Sequence, residues 1–270
     1  MDKIEVSVLN NTHCDQTPGE MMVFLGRLTQ RGHNINNMRD LKNLYLRPAS
    51  DEIKNQMALT KHGTIKRFSP ITVAIVGASR RFLGQARTHQ VGMNYVSASL
   101  QYSDYSNKAR FVVPYAMTKF DKDNPVQPGG LSLTDSYLSS CNIMMDKYKM
   151  YAEATDNDTA GYAAPQGLRN ILIMQGSHQA WSHFISLRGC NRNTVETQYV
   201  TMLIWYALLR TCDGESLFAT TGPDCLFRQG CQEGKFSCGE PFEWPRGTQR
   251  MNADTIEEII EAKWPLLKRR

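Results

Sequence analysis

The chain has 270 residues, 41% of them hydrophobic and 21% charged, with a formal net charge of +5. That is the balance of a globular protein with a real core. The positive excess is mild and, apart from the terminal Lys268-Arg269-Arg270, dispersed. It argues against a dedicated nucleic-acid binder and suits small anionic ligands such as nucleotides.

The start, MDKIEVSVLNN, lacks the basic and apolar regions of a signal peptide. No apolar run approaches the length that spans a bilayer, so we expect a cytoplasmic protein with no membrane partner. IEVSVL reads as a strand. TPGEMMVFLGRLTQRG reads as a helix capped by Thr17, with Pro18 in its first turn and Glu20 completing a capping box. Met22, Leu25 and Leu28 then share one helical face. DLKNLYL and DEIKNQMALTKHG are two short helices divided by Pro48. ITVAIVG is a β-branched run and predicts a buried strand. A helix follows from about Arg80, then an irregular Ser-rich segment. ARFVVPYAM suggests a strand broken by Pro114. Residues 131–154 suit a long helix, and DNDTAGYAAP a loop. Pro165 opens a predicted helix through QGLRNILIM. HQAWSHFISLRG fits helix or strand. NTVETQYVTMLIWYALLR is a strong helix, with Asn193 as cap and Glu196 three residues on. The last helix, placed at 253–268, follows a Cys- and Gly-rich loop at 212–240. Few strands separated by helices indicate a mixed α/β (α+β) fold, with a central sheet flanked by helices, over one domain of residues 1–270.

Ser79 to Ser106 carries Gln, Arg, Thr, His, Asn and five Ser around small residues. Such hydroxyls and amides, following a helix, can collect phosphate oxygens, and Arg adds a forked charge-assisted pair. The same residues can also form a Ser-rich turn bonded to its own backbone. Seven cysteines, an odd number without an export signal, argue against a disulfide framework. Cys212, Cys225, Cys231 and Cys238 stand among Gly turns and are candidates for a tetrahedral zinc site, although paired C-x₂-C spacing is absent. Cys190 is an extra candidate ligand. Cys14 and Cys141 read as packing residues.

The order of residues in this row resembles the flavin-dependent thymidylate synthases. Their signature is Arg-His-Arg, seven residues, then Ser; Ser-Arg and a Gln precede it, and it closes as Glu-x-Ser-x-Arg-Tyr. Ser79-Arg80 and Gln85 stand at the family spacing. The signature then falls on Thr88, His89 and Gln90. Its close falls on Ser97, Ser99, Gln101 and Tyr102 if one residue is inserted. A register without the insertion sets Arg87, His89 and Ser97 on the signature instead. Downstream, Arg169, Phe184, Arg188 and Glu196 match in spacing, with Asn193-Thr194 where the family has Ala-Gln. His62 and Thr64 echo an upstream His-x-Ser, but the Glu-His that should follow is Arg67-Phe68. Ser177 and Gln179 replace an Asn and an Arg.

The resemblance implies a homotetramer with active sites between subunits. It further implies C5 methylation of dUMP, with FAD as cofactor, methylenetetrahydrofolate as carbon donor and NADPH as reductant. It carries nucleotide contacts onto Gln85, Ser99, Gln101, Arg169 and Arg188, and gives Arg188 the catalytic position beside the pyrimidine. The flavin positions fall on Thr88, His89, Gln90, Ser97 and His183. The departures concentrate on the flavin side. They leave open a pyrimidine C5 hydroxymethylase, a UMP methylase, or an inactive nucleotide-binding homologue on the same fold.

Overall fold

The computed structural model describes residues 1, 4–9, 17–35, 37–68, 70–107, 109–228 and 230–267. Cys14 and the basic Lys268–Arg270 end lie outside them. Four strands form one antiparallel sheet in the order β1-β2-β4-β3: β1 Glu5–Val8, β2 Ile71–Ser79, β3 Met93–Ser97 and β4 Arg169–Gly176. In chain order the helices are α1 Pro18–Arg31, α2 Met38–Tyr45, α3 Asp51–Leu59, α4 Arg80–Arg87, α5 Tyr115–Asp123, α6 Leu133–Ala154, α7 Asn157–Ala160, α8 His178–Arg188, α9 Val195–Leu209, α10 Gly214–Phe218 and α11 Ala253–Lys263.

The predicted capping box of α1 is present, with Thr17 and Glu20 exchanging hydrogen bonds. Ile71, Val73 and Ile75 alternate inward along β2 and are fully buried. α9 is apolar on nearly every face and correspondingly buried. Trp181 and Trp205 are packed in the same core, and each indole N–H finds a carbonyl, at Ile71 and Phe218, both at 3.0 Å. A buried Lys54–Asp213 pair at 2.8 Å ties α3 to the start of α10. Asp213 also accepts from Gly19 N at 2.8 Å, so it fixes the first turn of α1 as well.

Several expectations are corrected. RNILIMQG is strand β4, not a helix from Pro165: Leu172 and Met174 are buried while Ile171 is exposed, and both edges of the strand find partners. A short apolar run does not by itself distinguish the two. Part of the irregular segment after α4 is strand β3. Around Pro114 no strand forms: Phe111 makes one bridge to Leu168, and Pro114 opens α5. The 157–163 loop holds α7 and a 3₁₀ turn. HQAWSHFISLR is helix α8. The cap of α9 is Thr194, because the Asn193 amide is engaged with the Leu187 and Cys190 carbonyls, and Glu196 turns away to Ser79. The last helix ends at Lys263, before Trp264-Pro265, since a residue preceding proline disfavours the α conformation.

Candidate functional site

The site is organised along α4. Gly77, with φ +87°, lies at the irregularity in the β2–β4 register and bends the strand. Ser79 then leaves the sheet and caps α4, accepting from Phe82 N at 3.1 Å. Its own N–H donates to Glu196 Oε1 at 2.8 Å, and its hydroxyl donates to the other carboxylate oxygen. Arg80 is spent on the Gly161 and Ala164 carbonyls. Arg169 pairs with Ser79 across the strands, and its Nε donates to Phe111 O at 3.1 Å.

The far end of α4 meets the end of α8. Here Arg188 donates to Thr88 Oγ1 at 2.7 Å, to Gln85 O at 3.3 Å and to Asn193 Oδ1 at 3.4 Å. The Gln85 amide oxygen accepts from Thr194 at 2.8 Å and from Thr197. Thr88 and Arg188 are thus locked to one another, and Gln85 to the start of α9. His89 is buried against Phe184 and against exposed His183, whose ring centroid is 4.9 Å away. Burial above all, with His183 and Arg188 beside it, pulls the His89 pKa down to about 4. Neutral imidazole therefore stands next to the Arg188 charge. Two polar atoms in this junction are buried without a hydrogen-bond partner, Arg188 Nε and His89 Nε2. Such atoms are costly unless something meets them.

The other sequence candidates are less anchored. Gln90 is exposed. Ser97 accepts from the Arg87 guanidinium, which joins two of the three residues singled out by the insertion-free register. Ser99 Oγ accepts from Gln101 N at 3.1 Å, so this part of the row is a turn bonded to its own backbone. These residues leave β3 beside the start of β4, where Arg169 stands. Arg169, paired with Ser79, stands at the start of α4, roughly 12 Å along that helix from the end that Arg188 meets. One chain gathers Gln85, Thr88, His89, His183 and Arg188 at the end of α4.

A cavity of about 340 Å³ adjoins His183. Lys66, His178, Gln179 and Ser182 contribute to its wall. Burial lowers the Lys66 pKa. Arg67 Nε donates to Gln179 Oε1 at 3.1 Å, so the turn that holds His62 and Thr64 is tied to α8. Lys66 was not singled out from sequence, and Arg67 only as a replacement for the family's Glu. The available signal was a five-residue turn in which buried Ile65 is followed by two charges that must point elsewhere. A larger cavity of about 660 Å³ is mostly apolar and lies beside Ser79, Tyr137, Cys141 and Glu196. It touches none of the residues assigned to nucleotide or flavin.

The four cysteines expected to share zinc are not grouped. α9 spans roughly 22 Å from its fifteen residues and carries Cys212 to the end remote from Cys190. Among the described residues, no three His, Cys, Asp or Glu side chains are already placed around a common metal position. No helix among them is long and apolar enough to cross a membrane.

Comparison with known proteins gives a consistent set of relatives. A flavin-dependent thymidylate synthase from Thermococcus onnurineus (strain NA1) is 24% identical over 201 residues, covering 70% of this chain and 74% of that protein. Thymidylate synthase X from Helicobacter pylori, solved with FAD and dUMP, superposes with a TM-score of 0.56 at 15% identity, over 80% of this chain and 97% of that one. The UMP/dUMP methylase PolB from Streptomyces cacaoi, bound to 5-Br dUMP, gives 0.55 at 15% identity, over 79% and 94%. The mixed α/β fold is that of these structures. The family model described as thymidylate synthase complementing protein matches residues 9–212, and the chain belongs to that family.

Proposed function

We propose that the chain is a flavin-dependent thymidylate synthase, methylating dUMP at C5 with methylenetetrahydrofolate as carbon donor and NADPH as reductant. The observation that carries this reading is Arg188. Its guanidinium is held on one side by Thr88 and the Gln85 carbonyl, while its buried Nε–H has no partner. A fixed cation with a donor to spare is what a uracil needs to become nucleophilic at C5. It stabilises negative charge developing on the pyrimidine oxygens, and being pre-set it loses nothing to reorganisation. His89, neutral at physiological pH, lines the same junction without competing for that charge.

The charged residues at the smaller cavity fit the pyrophosphate of a flavin dinucleotide. Lys66 borders the cavity beside His183, and Arg67 is held to Gln179 at its wall. They supply positive charge for a pyrophosphate, in place of the arginines lost at Thr88 and Gln90. FAD held there would supply the redox and one-carbon transfer chemistry. Arg188, Thr88 and Gln85 orient the nucleotide ring, and no protein nucleophile is needed.

The nucleotide phosphate falls to Ser99, Gln101 and Arg169. The resemblance to the family extends this reading to a homotetramer with its active sites between subunits. The test is the visible absorption spectrum of the purified protein, recorded after incubation with FAD and desalting. Retained flavin near one per chain is the expected result. A protein that keeps no flavin, yet melts higher with dUMP, would sink the flavin mechanism.

A further inference from the structure

The turn-rich segment after α10 contains a convergence that the methylation reading does not use. Pro223 packs on the end of α8: a Cβ added at Gly189 would stand 3.3 Å from Pro223 Cγ. That contact brings Cys225, on the 3₁₀ turn Asp224–Leu226, towards Cys190. From the other side, residues 238–242 lie against both. Phe242 N donates to Cys225 Sγ at 3.3 Å, and Asn191 Nδ2 donates to Glu240 O at 2.6 Å. Glu240 N in turn donates to Cys238 Sγ at 3.4 Å. Trp244 anchors the segment through its indole N–H to Leu226 O at 2.7 Å. Three pieces of backbone, each bearing a cysteine, are therefore fixed to one another next to α11.

Backbone N–H groups meet two of these sulfurs directly. Cys238 receives the N–H two residues on, and Gly239, with φ +77°, turns the chain over the sulfur. Cys231 repeats the offset. Its sulfur accepts from the Ser237 hydroxyl and from the Glu233 N–H, and Gly234 lies nearby with φ +52°. Cys225, although raised by burial, lies within electrostatic reach of both Cys190 and Cys231. The Lys263 ammonium donates to Asn191 Oδ1 and lies within reach of Cys190, Cys238 and Glu240. It is the cation that would offset an anionic sulfur cluster.

We propose that Cys190, Cys225, Cys231 and Cys238 bind one thiophilic divalent ion of the zinc class, in a four-sulfur structural site that excludes Cys212. The thiols are not yet turned to a common centre, and metal binding supplies that turn. The ion replaces four thiol protons, which leave to solvent, and no redox change is involved. Four sulfurs and no open position make the site structural rather than catalytic. Its role is to pin residues 223–244, which have few buried apolar side chains of their own, to the junction of α8 and α9.

Metal content of the full-length protein tests this independently of flavin and nucleotide. The protein is reduced, loaded with Zn²⁺, desalted and analysed by elemental mass spectrometry. One zinc per chain is expected in the wild type and in Cys212→Ser, and at least a tenfold loss in Cys190→Ser and Cys231→Ser. Because a serine variant can misfold, the wild type is also loaded with Co²⁺. Intense thiolate-to-metal absorption in the near ultraviolet is expected, with the visible bands of tetrahedral cobalt. Absence of both zinc and the cobalt bands from folded wild-type protein overturns the proposal. So does metal that survives in Cys190→Ser or disappears in Cys212→Ser.

Discussion

The two ends of α4 use similar residues for opposite purposes. At the start, Ser79, Arg80 and Glu196 satisfy one another or the backbone. At the finish, Gln85, Thr88 and Arg188 are held just as firmly, yet Arg188 Nε and His89 Nε2 are buried without partners. A completed polar network rigidifies a fold, whereas an incomplete one keeps donors ready for a ligand. On the proposed function, the second end is where the chemistry takes place and the first is its support.

Substitutions that separate the two roles are the sharpest tests. Arg188→Ala should lower kcat by about a hundredfold or more while leaving the fold, because the lost donor acts on charge that develops during reaction. Turnover and melting temperature, measured on one preparation, decide it; equal loss of both would make Arg188 a structural residue. Glu196→Ala should do the reverse. It strands the N–H and hydroxyl of buried Ser79, at a cost of about 1–3 kcal/mol in urea denaturation. Residual activity per folded molecule should stay near wild type.

A buried histidine extends the contrast to pH. His178, at the first turn of α8, bonds Leu217 O at 2.8 Å, and burial pulls its pKa down to about 4. The unfolded value is higher, about 6.5, so the unfolded chain binds more protons in this window. Stability from His178 is therefore complete above pH 6.5 and lost as pH falls towards 4, at about 1.4 kcal/mol per pH unit. His89 titrates over the same window. His178→Gln should remove about half of the shared slope, measured by denaturant unfolding at several pH values; an unchanged slope would show that His178 is not buried neutral. The smallest effect belongs to Ser99, whose hydroxyl bonds only its own turn in the isolated chain. Ser99→Ala should alter stability by under about 0.5 kcal/mol, but raise KM for dUMP. Gln101→Arg, which restores a forked cation, should lower that KM.

Local rules made much of this legible. The capping box of α1 and the β-branched run of β2 follow from neighbours in sequence, and order and spacing picked out Gln85 and Arg188, which the structure joins. β4 was not, since an apolar run between Pro165 and Ser177 satisfies helix and strand alike until its sheet partners are known. The link from Arg67 to Gln179 crosses 112 residues and leaves no mark in either segment. The cysteines show the same limit. Cys212 is near its fellows in sequence, but α9 carries it away, while Cys190 is far in sequence and close in space.

The most direct test of the account is the product. Wild-type protein is incubated with dUMP, methylenetetrahydrofolate, NADPH and FAD, and the nucleotide is analysed by mass spectrometry. The account predicts a gain of one methyl group, placed on C5, that disappears in Arg188→Ala. A hydroxymethyl product, or unaltered dUMP from protein that has kept its flavin, would contradict it.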